Sequence, residues 1–238
     1  MAPPPVEVLD LLRGCRPHQV HRAWLVMFYG IILSNVSSND PTNDDLKGKL
    51  RCNLWLALND VRLLLEPSEA NIQALIVLAC HVEEFTTPSL SWLLITNACR
   101  MLQALGVNHR QLDSKTRERR AIVFWHLNLL DKGFALVFGR PPTFHRAMAN
   151  EIKLPTLEQL LPFQPHQTST IRPSTFGVHF LHQMFRLTRT IADIWYCLFD
   201  GPSTNDDMVA ELIERVNLWY CDARKVGTVD RFHILVSV

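Results

Sequence analysis

Apolar positions recur along this chain at three- and four-residue spacing, the period of one helix face, and alternating strand-like segments with paired turns are absent. Prolines at 3–5, 17, 41, 67, 88, 141–142, 155, 162, 165, 173 and 202 cut the pattern into blocks. The first, His18 to about Val36, is densely apolar and reads as a buried helix. Asn43-Asp44-Asp45 offers a cap with acids in the first turn, followed by Leu46, Leu50, Leu54, Leu58, Val61 and Leu65 in step. Ser68 caps the next helix, whose stripe is Ile72, Leu75, Ile76, Ala79 and Val82. Thr87-Pro88 opens another, which Gly106 stops. Phe176, Phe180, Met184, Leu187, Ile191, Ile194 and Leu198 mark a helix within 174–199. Met208, Leu212, Val216 and Trp219 mark the last, capped by Thr204 or Asn205 and ending near Gly227. The pattern predicts an all-α, multi-helix, solenoid-like bundle of helical hairpins without a repeat of fixed period.

Ser114 to Pro142 differs from the other blocks. After the basic turn of Lys115, Arg117, Arg119 and Arg120 it is apolar almost all the way round, from Ala121 to Phe138, and it stops at Gly139-Arg140-Pro141-Pro142. A helix apolar on every side belongs among other helices, so this one is expected to be the central buried helix of the fold. Asp131 and Lys132 divide its apolar run, which leaves too few unbroken apolar residues for a membrane span. Asp131 has Phe124, Leu127, Phe134, Ala135 and Phe138 at helical spacing around it. A carboxylate there needs a partner, and Arg100, Arg186 and Arg189 are candidates from neighbouring helices.

These residues carry a resemblance. Arg119-Arg120, Phe124-Trp125, Leu129-Leu130-Asp131-Lys132, Gly139-Arg140-Pro141-Pro142 and Glu151-Ile152-Lys153-Leu154-Pro155 follow in order, preceded by Ala98-Cys99-Arg100-Met101-Leu102-Gln103-Ala104-Leu105-Gly106-Val107-Asn108-His109. The set, covering residues 90–155, resembles the "middle homology" or xylanolytic-activator-type regulatory domain of fungal zinc-cluster transcription factors. Lys153 stands where that family usually has an acid. The resemblance implies Arg119, Arg120, Phe124, Trp125, Asp131, Gly139, Arg140, Pro141 and Pro142 as motif residues of structural importance, and it suggests Arg140 as a further candidate partner for Asp131. It also implies transcriptional regulation in the nucleus, with zinc held in a separate DNA-binding module through which the factor meets DNA. Co-regulators, a small-molecule inducer or a second copy of the chain are the further partners it suggests.

Composition narrows the alternatives. The 238 residues suffice for one all-α domain over 1–238, with 140–173 as a long proline-rich surface loop. A net charge of +1 excludes the overall basic footprint of a nucleic-acid binder. Cys15, Cys52, Cys80, Cys99, Cys197 and Cys221 form no CxxC, which excludes a zinc cluster within the chain and suggests reduced, buried thiols. There is no basic leader followed by an apolar stretch, so no membrane association is expected. The abrupt apolar ending at Phe232–Val238 is expected of an incomplete domain.

Catalytic and metal sites find little support. Asn43-Asp44-Asp45 and Asn205-Asp206-Asp207 could hold metal as in terpene synthases, but Val209 stands where a hydroxyl ligand is needed, and helix capping accounts for both. His18/His21 and His179/His182 share helical faces without further ligands. No glycine-rich elbow or phosphate loop is present. The resemblance implies a regulatory domain, and the residues offer no catalytic motif that would make the chain an enzyme. The rival is an α-helical enzyme or small-molecule carrier with an apolar pocket among Phe124, Trp125, Phe134 and Phe138.

Overall fold

The computed structural model describes residues 4–36, 43–82, 85, 87–107, 109–161, 176–201 and 206–235, and every regular element among them is helical. The chain divides into two compact units, Met1–Gly106 and Val107–Val238.

The first unit carries α1 (Val6–Arg13), a 3-10 turn (Pro17–Gln19), α2 (Arg22–Asn35), α3 (Asp44–Leu58), α4 (Arg62–Leu65), α5 (Glu69–His81) and α6 (Pro88–Leu105). Its centre is α5, which packs against α2 and α6, while α2 also packs against α3. Asn71 to Ala79 are all buried, so the helix enclosed on every side is α5. Burial thus extends beyond the expected stripe and takes in two polar residues, Asn71 and Gln73. The Asn71 Nδ2 is satisfied locally, donating to the carbonyls of Glu66 at 2.8 Å and Arg62 at 3.2 Å. Ser91 ties α6 to the preceding turn by donating to Phe85 O and Ala79 O.

Local signals explain several of the helix starts here, with side-chain caps at α2 and α5. Ser68 Oγ accepts from Asn71 N, and Pro88 opens α6 behind Thr87. Asn43 stands before α3 as expected, yet its side chain makes no cap bond because its backbone is already helical. The expected single helix from Asp44 to Leu65 breaks at Asn59-Asp60, where Asp60 Oδ1 accepts from Arg62 N and so starts α4. The block from His18 likewise begins as the 3-10 turn, and α2 starts only at Arg22 with His21 as its cap.

The second unit holds α7 (Ser114–Phe138), α8 (Arg146–Glu151), α9 (Leu157–Leu160), α10 (Phe176–Phe199) and α11 (Asp206–Leu235). Helix α10 packs against α7, α9 and α11. The α7 helix buries a stripe made of Ile122, Phe124, Trp125, Leu127, Asn128, Asp131, Lys132 and Ala135. It is not enclosed all round, since Val137 is 73% exposed. By length and composition α7 could cross a membrane, contrary to the shorter run expected, but a buried ion pair and packing against α10 make it a core helix.

Three further expectations change here. Residues 140–161, read as the first part of a surface loop, contain α8 and α9 and bury Phe144, Ala149, Ile152 and Leu160; 162–173 lie outside the described residues. On α10 the buried positions include Val178, Phe185 and Thr188, whereas Phe180 and Leu198 of the expected stripe are exposed. Helix α11 continues past Gly227 to Leu235; its expected caps, Thr204 and Asn205, fall outside the described residues. The thiols are all free, but Cys15, Cys52 and Cys221 are exposed, so the expectation of burial holds only for Cys99 and Cys197.

Candidate functional site

Asp113 and Gly139 set the limits of α7. Asp113 accepts from Thr116 N at 2.9 Å, and hydrogen bonds from the Thr116 side chain and then its backbone hold the Asp113 carboxyl below the usual range. Gly139 adopts φ +61°, and the amide of Arg140 closes the turn on Ala135 O. Pro141 and Pro142 cannot continue the helix, so the chain turns back along it.

The returning strand of backbone is captured by Asp131. Its Oδ1 accepts from Thr143 N at 2.8 Å and its Oδ2 from Phe144 N at 2.9 Å. Lys132 Nζ lies 3.1 Å from Oδ2 and also donates to the carbonyl of Phe144. The two side chains are 1% and 3% exposed. A buried pair survives desolvation only when further hydrogen bonds satisfy it, and the Thr143–Phe144 backbone supplies them. The expectation that Asp131 is buried and paired is met. Its cation is Lys132, which had not been among the candidates. Arg100 instead reaches Gln103, Arg186 reaches Asp222, and Arg189 reaches Ala149 O.

Trp125 makes the second tie. Its Nε1 donates to Lys153 O at 2.9 Å, which fixes the Glu151–Pro155 segment against α7. Lys153 contributes its carbonyl while its side chain faces solvent, so an acid or a base at this position leaves the bond intact. Phe124 meets Trp125 edge-on at 5.6 Å and Phe144 at 4.9 Å. Phe185 of α10 stands 6.5 Å from Trp125, and the Arg189 guanidinium lies 5.4 Å over its ring. The three separated motif pieces (the apolar helix, the Gly139–Pro142 turn and the Glu151–Pro155 segment) thus form one body.

Of the residues singled out from sequence, the structure brings Phe124, Trp125 and Asp131 together and leaves Gly139, Arg140, Pro141 and Pro142 at the turn that serves them. Arg119 and Arg120 sit half-buried near the start of α7. The aromatic rings pack on one another. The cavity near them is about 130 Å³ and is lined mostly by polar and charged residues, among them Asn128, Lys132, Arg146, Arg189, Asp193 and Arg215. Asp193 takes Arg146 at 2.7 Å and Arg215 at 2.8 Å. Lys132 and Arg189 had been singled out in the sequence for other reasons, but Asn128, Arg146, Asp193 and Arg215 had not, because the six come from four helices and only the fold assembles them. Among the described residues, no three or more His, Cys, Asp and Glu are gathered as metal ligands.

The sequence profile of the fungal specific transcription factor domain matches residues 15–220. A transcriptional regulator of Claviceps purpurea is 48% identical over 225 residues, spanning 93% of this chain and 36% of that protein. An uncharacterized transcriptional regulatory protein of Schizosaccharomyces pombe is 30% identical over 129 residues, 52% of this chain and 20% of its own length. The chain therefore spans about a third or less of these curated relatives. No solved structure matches.

Proposed function

The chain belongs to the fungal specific transcription factor domain family, and on that premise we propose that it is the regulatory part of a nuclear protein that controls transcription. The match over residues 15–220 carries this reading. Within it the chain contributes control, not catalysis, and DNA is read by a zinc-cluster module outside the chain. The near-neutral net charge of +1 supports the separation, because duplex binding is dominated by cation–phosphate contacts. Co-regulators and a second copy of the chain are the protein partners that this role would engage.

Two measurements test it. Deleting residues 15–220 in the host should change the level of a set of transcripts, and an unchanged transcript profile would overturn the regulatory role. Fluorescence anisotropy of the isolated chain on random duplex DNA should show weak binding that disappears as salt rises. Sequence-selective binding at physiological salt would place DNA recognition inside this chain after all.

A further inference from the structure

The cavity beside Lys132 is small, and its lining is out of charge balance. Lys132, Arg146, Arg189 and Arg215 are cationic, and Asp193 is the one acid among the lining residues. Asp131, behind Lys132, offsets one more charge. Two guanidiniums, those of Arg146 and Arg215, share the single Asp193 carboxylate. Each guanidinium carries five N–H donors in a planar fork, so one shared carboxylate leaves donors on both for another anion.

Asn128 supplies an independent observation. It lines the same cavity, is 1% exposed, and its Oδ1 has no hydrogen-bond partner among the described residues. Buried polar atoms are normally satisfied, and an orphan facing a cavity points to a missing group. A half-turn of the amide exchanges its oxygen and nitrogen, so Asn128 can accept from a ligand hydroxyl or donate to a ligand oxygen.

We propose that this cavity binds a small oxyanion, a molecule bearing a carboxylate or a phosphate, held by Arg146 and Arg215 and oriented by Asn128. Its volume of about 130 Å³ is below the roughly 300–1,000 Å³ of sites for drug-sized ligands, so the occupant is a small anion. Entry is from the Arg146 side, since that side chain is 61% exposed and Arg215 35%. The walls are already positioned: Arg189 is fixed over Trp125 and on Ala149 O, and Lys132 by Asp131 and Phe144. A bound anion would bridge α7, α8, α10 and α11. The binding stands without the regulatory reading, whereas the anion's role as a signal rests on it.

The test is thermal unfolding of the full 238-residue chain against inorganic phosphate and, separately, acetate, succinate and citrate, with ionic strength held constant by sodium chloride. A saturable rise in melting temperature is expected in one arm, and the arm identifies the ligand class. Arg146→Met, at an exposed position that should leave folding intact, should weaken the apparent affinity at least tenfold, and Arg215→Met likewise. Arg186→Met, whose partner is Asp222 and not the cavity, should leave the response unchanged. No saturable rise with any anion, or an equal rise in Arg146→Met, would overturn the proposal. A saturable rise together with an unchanged transcript profile on deletion would retain the site and reject its signalling role.

Discussion

Asp131 and Phe144, thirteen residues apart, are joined through the Phe144 amide, which donates to Asp131 Oδ2 at 2.9 Å, while Lys132 returns a bond to the Phe144 carbonyl. The Phe144 ring then packs on Phe124, about two helical turns before Asp131. One residue after the Pro141-Pro142 turn is thereby held by both its backbone and its ring. The acid–lysine pair is best understood as a clamp on the returning chain, which is why it tolerates burial.

Asp131→Ala should be the most damaging single change to this clamp. It leaves Lys132 charged and buried and deprives two backbone amides of their acceptor. Breaking such a pair costs about 3–5 kcal/mol, and at about 2–4 °C per kcal/mol the melting temperature should fall by about 6–20 °C. A fall of about 2 °C or less in thermal unfolding would contradict the clamp. Pairing Asp131→Leu with Lys132→Met should not restore full stability, because the amides of Thr143 and Phe144 remain unsatisfied.

Trp125→Phe isolates the second tie. It keeps an aromatic ring beside Phe185 but removes the donor to Lys153 O and weakens the contact with Arg189. The expected loss is about 1–3 kcal/mol. Amide hydrogen exchange should rise across Glu151–Pro155 more than across α5, and a uniform rise would argue against a local tie.

Two glycines separate backbone strain from crowding. At Gly139, φ is +61° and an added Cβ would meet Phe199 only at 3.7 Å, so Gly139→Ala should cost about 1 kcal/mol from conformation alone. At Gly30 an added Cβ would fall 2.9 Å from Val77 Cγ1 and 3.2 Å from Val82 Cγ2. Gly30→Ala should cost about 1–3 kcal/mol by forcing α2 away from α5, despite better helix propensity. Asn should be tolerated at 139 and not at 30; the reverse order in denaturant unfolding would contradict both assignments.

How much of this was legible depended on whether the signal was local. Gly139 and the prolines after it announce the end of α7, and the apolar residues around Asp131 announce a buried acid. The partner was not legible, because neighbours at i and i+1 on a helix do not normally face each other. Asp131 and Lys132 converge only because both reach the returning Thr143–Phe144 backbone. The phase of α10 misled for a similar reason: Thr188 is fully buried with its hydroxyl donating to Met184 O, while Phe180 and Leu198 face outward. A hydroxyl that satisfies itself within its own helix behaves as a small apolar group. The cavity of Asn128, Arg146, Asp193 and Arg215 had no sequence signal, since its members are brought together from distant helices.

Two titrations give pH-dependent predictions. Burial, then the Arg186 and His179 charges, hold the His182 pKa below its ordinary 6.5. The unfolded chain then binds the proton more readily, so stability should decline as pH falls from about 6.5 through the lower folded value. His182→Gln should flatten that decline, and an unchanged profile would remove His182 as its source. Burial pushes the Cys80 thiol up to about 11 from 9.0. Stability should therefore fall as pH rises from about 9 toward 11, and Cys80 should be alkylated about 100-fold more slowly at pH 8 than an ordinary thiol. Labelling Cys80, which is half-buried, as fast as the exposed Cys15, Cys52 and Cys221 would contradict its raised thiol pKa.

The regulatory role itself is tested most directly by tethering. Residues 1–238, fused to an unrelated DNA-binding module of known site, are placed upstream of a reporter gene, and its output is compared with that of the module alone. The account predicts a change in output that is lost when Asp131→Ala disrupts the second unit. Output equal to that of the module alone, with the fused chain folded and present at the same level, would contradict it.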